Sequence, residues 1–176
     1  MKRPHLYLTG YRGCGKSTAA KLLGESLALP VCDLDHVIEQ TAGATIAEIF
    51  ASEGEAGFRD RETQCLQEIS AQPQRVIALG GGAILRPLNR QTIGISGWCV
   101  WLDADPRIIA DRISGDATTR ERRPSLTGRP VAEEIIDVMT KREPLYREVA
   151  DLRVETSHRT IEEIVAEISK AFVDVE

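Results

Sequence analysis

The strongest chemical signal is one stretch, Gly10-Tyr11-Arg12-Gly13-Cys14-Gly15-Lys16-Ser17-Thr18. It reads G-x-x-x-x-G-K-S, the spacing of a phosphate-binding P-loop. Glycines let the backbone turn tightly and aim successive N–H groups into one concavity, which attracts anions. The helix that follows such a loop presents its positive end to the same place. A lysine at the position of Lys16 reaches the β- and γ-phosphates, and the hydroxyl of Ser17 ligates Mg²⁺. The flanks fit: His5-Leu6-Tyr7-Leu8-Thr9 is a short apolar run suited to a buried strand, and Ala19, Ala20, Leu22 and Leu23 recur at helical spacing.

Further along lie other residues able to meet a phosphate or an acceptor. Pro30-Val31-Cys32 reads as a strand ending at Asp33-Leu34-Asp35. Residues two apart on a strand share a face, so Asp33 and Asp35 are expected to project together at its carboxyl end. In open α/β sheets that end borders the ligand crevice. The alternative is that one of them caps a helix beginning near His36. Val76-Ile77-Ala78-Leu79 runs into Gly80-Gly81-Gly82, which suits either a close approach of backbone to ligand or a plain turn. No acid ends that strand, which leaves magnesium support to Asp33. Residues 115–129 are polar and rich in arginine and breakers, as in a mobile lid closing over phosphates or a solvated loop.

The elements that must position these groups alternate strand and helix along the chain. This indicates an α/β fold with a mainly parallel sheet. Thr45-Ile46-Ala47-Glu48 and Thr160-Ile161-Glu162-Glu163 are capping boxes. Gly54 and Gly57 loosen the helical pattern that follows the first box, and Arg59-Asp60-Arg61-Glu62 opens the next. Trp98 to Leu102 is a fourth strand, after which Asp103 or Asp105 caps a helix carrying Arg112. Pro144 is expected to bend or stop the helix holding Arg142, before a fifth strand at Leu152-Arg153-Val154.

Composition narrows the function classes. The 176 residues suggest one domain spanning 1–176, with 42% hydrophobic residues to fill its core. A net charge of −5 does not suggest a nucleic-acid partner. No apolar run is long enough to span a membrane. The first strand starts too early to leave room for a signal peptide, so a cytoplasmic location is expected. Cys14, Cys32, Cys65 and Cys99 show no C-x-x-C spacing, so buried, reduced thiols are expected rather than zinc or disulfides. Cys14 stands apart, because the loop amides would favour its thiolate.

Taken in order, GYRGCGKST, DLDHVIE, IAEIF…GEAGFRDRE, ALGGG, RRPSL and REPLYREVA resemble the shikimate kinase family over essentially the whole chain. The resemblance implies a three-layer α/β/α P-loop kinase of the nucleoside monophosphate kinase-like fold. Its five-stranded parallel sheet would have the order 2-3-1-4-5. It implies transfer of the ATP γ-phosphoryl group to the 3-hydroxyl of shikimate, with Mg²⁺. It places Gly13, Cys14, Gly15, Lys16, Ser17 and Thr18 around the phosphates, with Ser17 on the metal and Asp33 supporting it through water. Asp35 becomes the base, and Arg59 and Arg142 the clamp on the shikimate carboxylate. Gly80, Gly81 and Gly82 lie against the shikimate ring. Arg123 is the lid arginine on the phosphates, and Arg112 and Arg159 flank the adenine. The lid departs from many members in reading Arg-Pro-Ser-Leu, and no proline follows Arg159 closely.

These roles agree with chemistry that needs positioning and charge neutralisation more than covalent help. Paired arginines suit a carboxylate because each guanidinium binds it bidentately. ATP and shikimate are the expected partners of a monomeric enzyme. Two rivals differ in kind. A related small-molecule kinase, such as a gluconate or nucleotide kinase, would lack a use for Arg59 with Arg142. A nucleotide-binding switch would lack a use for Asp35.

Overall fold

The computed structural model describes residues 5–115 and 131–175. Among these, five strands form one parallel sheet: β1 (His5–Thr9), β2 (Val31–Asp33), β3 (Val76–Ala78), β4 (Gly97–Asp103) and β5 (Leu152–Glu155). Their order is β2-β3-β1-β4-β5, as the family resemblance implies. Strand side chains alternate between two cores. Tyr7, Ile77, Cys99 and Trp101 face one, and Leu6, Leu8, Val76, Ala78, Val100 and Leu102 face the other. Both faces of the sheet are therefore covered, which is why β1 and β3 read as continuous apolar runs.

Helices α1 (Lys16–Leu27) and α7 (Ile161–Val175) cover the second core. The first is covered by α2 (Leu34–Ala42), α3 (Ile46–Ser70), α4 (Pro87–Ser96) and α6 (Val131–Val149). Helix α5 (Pro106–Gly115) packs on α6 through Ile109, Ile113 and Ile135. β1 is central, with β3 on one side and β4 on the other. The chain's direction of winding switches beside it, and the crevice at such a switch point is where ligands enter open α/β sheets.

Local signals explain most boundaries. Thr45 and Glu48 form the capping box of α3, and Pro87 occupies the first turn of α4. Asp105, not Asp103, caps α5, accepting from the Arg107 amide at 2.8 Å, while Asp103 pairs with Arg153. Gly54 breaks α3 with φ 70°, whereas Gly57 stays helical.

Two expectations are corrected. Helix α2 begins at Leu34 rather than near His36, so Asp35 stands in its first turn and not on the strand. The cap at Asp33 causes this, because its Oδ1 accepts from the amides of Asp35 and His36 at 3.1 and 3.4 Å. Pro144 does not stop α6, which runs through it to Val149. The helix continues because Tyr146 and Val149, one turn on, are buried against the sheet and outweigh the lost amide. The segment expected as a lid at 115–129 lies outside the described residues from 116 onward, and Arg123 with it.

Candidate active site

The loop from Gly10 to Gly15 leaves β1 and enters α1 at the switch point. Gly10, Gly13 and Gly15 have φ of 141°, 81° and 90°, a region glycine alone occupies cheaply. At Gly10 space matters as well, since a Cβ there would lie 2.3 Å from the Leu102 carbonyl of β4. The ammonium of Lys16 folds back onto its own loop, donating to the Gly10 and Tyr11 carbonyls, each at 2.8 Å. Ser17 Oγ donates to Asp33 Oδ2 at 2.9 Å. Asp33 thus does two jobs, capping α2 with one oxygen and meeting the P-loop serine with the other. A hydroxyl beside a carboxylate is a donor set suited to a hard cation such as Mg²⁺.

The Cys14 side chain is buried beside Leu102 and Ala19, and its Sγ accepts from Lys16 Nζ at 3.6 Å. The four cysteines are unbridged and buried. Arg112 crosses from α5 to the Gly13 and Thr156 carbonyls at 3.4 and 3.3 Å. With Arg159, which pairs with Glu167, it lines a cleft of about 230 Å³ that also touches Gly13, Gly15 and Thr18. That puts both arginines beside the phosphate loop, where a nucleoside would extend.

Across the crevice, Gly80, Gly81 and Gly82 follow β3. A Cβ on Gly80 would lie 2.6 Å from Asp35 Oδ1 and 3.3 Å from Glu62 Oε1. One on Gly82 would lie 2.5–2.8 Å from the Arg59 guanidinium. The bare glycine backbone therefore lets Asp35 and Arg59 close on the same loop from α2 and α3. Arg59 is buried, donates to Glu62 Oε2 at 2.8 Å, and lies 5.1 Å over the Phe58 ring. From α6, Arg142 Nη1 and the Tyr146 hydroxyl both donate to the Gly81 carbonyl, at 2.8 and 3.0 Å. Burial pushes the Tyr146 hydroxyl's pKa far up, so it remains a proton donor at any physiological pH.

Lys16, Ser17, Asp33, Asp35, Arg59, Arg142 and the glycines thus gather around one crevice. Arg112 and Arg159 line the cleft beside the P-loop. Two residues escaped sequence reasoning. Glu62 was read only as part of the charged run Arg59-Asp60-Arg61-Glu62, and it is 1% exposed. Its one legible signal was the three-residue spacing from Arg59. Tyr146 looked like ordinary helix core, and nothing in its spacing announced a bond to a distant glycine.

A phosphate loop facing a glycine loop with two arginines at the switch point of a five-stranded parallel sheet has the make-up of a P-loop kinase acting on a small molecule. The family model described as "Shikimate kinase" matches residues 12–173, and the chain belongs to the shikimate kinase family. It is 63% identical to a shikimate kinase of Rhodopirellula baltica, over 97% of this chain and 91% of that protein. A shikimate kinase of Symbiobacterium thermophilum is 40% identical, with 93% of each chain covered. Among solved structures, the shikimate kinase of Acinetobacter baumannii in complex with shikimate superposes with a TM-score of 0.90 at 35% identity, covering 99% and 95% of the two chains. A gluconokinase from Sinorhizobium meliloti reaches 0.59 at 15% identity, a likeness of fold alone.

Proposed function

We propose that this chain transfers the γ-phosphoryl group of ATP to the 3-hydroxyl of shikimate, giving shikimate 3-phosphate and ADP on the route to chorismate and the aromatic amino acids. One observation carries the residue assignments: Arg59 and Arg142 converge, from different helices, on the glycine loop that Asp35 also abuts. Two guanidiniums flanking a loop without side chains suit a flat, polyhydroxylated carboxylate. The carboxylate lies between the arginines, the ring rests on Gly80 to Gly82, and the 3-hydroxyl faces Asp35.

Asp35 accepts the proton of that hydroxyl as its oxygen bonds to the γ-phosphorus and the bond to ADP breaks. Lys16 exchanges its two loop carbonyls for phosphate oxygens. The amides from Gly13 to Thr18 hold the phosphates, while Arg112 and Arg159 flank the adenine. Arg123, outside the described residues, neutralises charge on the transferring group. Ser17 directly, and Asp33 through water, would hold Mg²⁺, which neutralises phosphate charge when bound. The chain 1–176 works as one domain, a monomer in the cytoplasm. Among the described residues no helix is long and apolar enough to cross a membrane.

The test is a coupled ADP-release assay with shikimate, quinate and gluconate as acceptors. Shikimate is expected to turn over at about 1–100 s⁻¹ and the others far more slowly. A preference for gluconate would transfer the chain's role to a sister kinase. No ADP release with any acceptor would leave a nucleotide-binding switch.

A further inference from the structure

The Gly81 carbonyl accepts two bonds, from Arg142 Nη1 at 2.8 Å and from the Tyr146 hydroxyl at 3.0 Å. A carbonyl oxygen has two lone pairs, and here both are used. The same glycine rests on the P-loop, since a Cβ on it would lie 3.5 Å from the Arg12 amide nitrogen and 3.6 Å from the Gly10 carbonyl. Gly81 is therefore where α6, the acceptor loop and the phosphate loop meet. Tyr146 is 1% exposed, and its ring stacks on Trp101 of β4 at 5.5 Å and 17°. Trp101 is fixed in the sheet and covered on another side by the Arg153 guanidinium, 4.8 Å from its ring. The tyrosine hydroxyl is thus aimed by a rigid aromatic pair, whereas Arg142 is half-buried at the end of a long, flexible side chain.

We infer that Tyr146 is a positioning residue for the acceptor: its hydroxyl keeps the Gly81 carbonyl satisfied while Arg142 turns from that carbonyl to the acceptor's carboxylate. This rests on the assignment of Arg142 to the clamp. With Tyr146 in place, Arg142 can change partner while the half-buried Gly81 carbonyl keeps one protein hydrogen bond. Without the hydroxyl, acceptor binding and the Gly81 carbonyl compete for one guanidinium. Leaving a half-buried acceptor without its protein partner is costly, whereas the carbonyls that Lys16 releases to the nucleotide do not depend on Tyr146.

The experiment compares Tyr146→Phe, which removes one oxygen and keeps the stack, with Arg142→Ala and wild type. Shikimate and ATP are varied in turn, and thermal unfolding is recorded alongside. In Tyr146→Phe the shikimate KM is expected to rise between about fivefold and a hundredfold, with the ATP KM and the kcat at saturating shikimate within about twofold of wild type. A purely structural role would lower Tm and leave this selectivity absent. A shikimate KM within about twofold of wild type, or an equal rise in both KM values, overturns the inference. If Arg142→Ala itself leaves the shikimate KM unchanged, the clamp falls and the inference with it. If Arg142→Ala raises the KM and Tyr146→Phe does not, only the role of the hydroxyl falls.

Discussion

Replacing Gly82 by alanine tests the acceptor pocket without touching a charged group. Gly82 has φ −109° and ψ 2°, a conformation alanine adopts, so the backbone offers no obstacle. The added methyl carbon would sit 2.5 Å from Arg59 Nη2, where ordinary contact begins near 3.4 Å, so the guanidinium must retreat by about 0.9 Å. It has little freedom to do so, being buried and bonded to Glu62 at 2.8 Å. Moving it weakens one charge-assisted hydrogen bond, worth about 1.5–3 kcal/mol, and displaces the carboxylate clamp by a similar distance. The kcat/KM for shikimate should fall between about tenfold and 150-fold, and the ATP KM should stay within about twofold. Steady-state kinetics with each substrate varied reads both. Arg59→Ala should cost at least as much. The double variant should cost no more than Arg59→Ala alone, because the methyl acts only through that arginine. Additive losses, or a Gly82→Ala enzyme with native shikimate kinetics, would refute the placement of Arg59 in the acceptor pocket.

Asp35→Asn keeps the shape beside Gly80 and removes the base, so kcat should fall about 10²–10⁴-fold with nucleotide affinity little changed, as measured by single-turnover kinetics and ADP titration. Asp33→Ala takes the partner from Ser17 Oγ and the cap from α2 together. It should therefore raise the Mg²⁺ concentration needed for half-maximal rate and lower Tm, both read in one metal titration and one melt. Thr45→Ala should lower Tm by about 2–4 °C through loss of the α3 cap, leaving kinetics unaltered. The Thr45 amide, and after it the Thr45 hydroxyl, hold the Glu48 carboxyl below its ordinary pKa, so the carboxylate's part of this box stabilises fully above that ordinary value and is lost as pH falls through the lowered one. The Tm gap between wild type and Thr45→Ala should accordingly be largest near pH 7 and narrow, without vanishing, as the solution is acidified, because the bond from the Glu48 amide to the Thr45 hydroxyl does not titrate.

What could be read from the sequence follows what is local. The P-loop, both capping boxes, the proline start of α4 and the strand after it depend on neighbours a few residues apart, and each lies where spacing placed it. Contacts that join distant segments were not legible. Strand alternation was the wrong reason for grouping Asp33 with Asp35. A cap at Asp33 starts the helix at once, and it is the first turn of α2 that carries Asp35 to Gly80. Pro144 does not stop the helix, because the local cost of a missing amide is outweighed by the burial of Tyr146 and Val149 beyond it. The family resemblance supplied the roles of Arg59 and Arg142, which composition alone would have left as surface charge. It did not supply Glu62 or Tyr146, whose importance appears only when α3 and α6 close on the same three glycines.

The charges of the crevice are already occupied by the protein itself, and this bears on how it works. Lys16 spends its donors on loop carbonyls, Ser17 on Asp33, Arg59 on Glu62, and Arg142 on Gly81. Ligand binding is then an exchange of partners rather than the assembly of loose side chains, so little conformational entropy is lost at the moment of binding. The exchanges are unequal. Lys16 leaves behind only neutral carbonyls, whereas Glu62 is buried and would be left as an isolated charge if Arg59 moved away. Arg59 should therefore keep Glu62 and offer the acceptor only its remaining donors, which Glu55, 3.5 Å away and exposed, does little to restrain. On the proposed assignment, a fixed arginine on α3 facing an exchanging one on α6 would give the carboxylate one wall that does not move. The packing of α3 against the glycine loop would then set the distance from the 3-hydroxyl to Asp35.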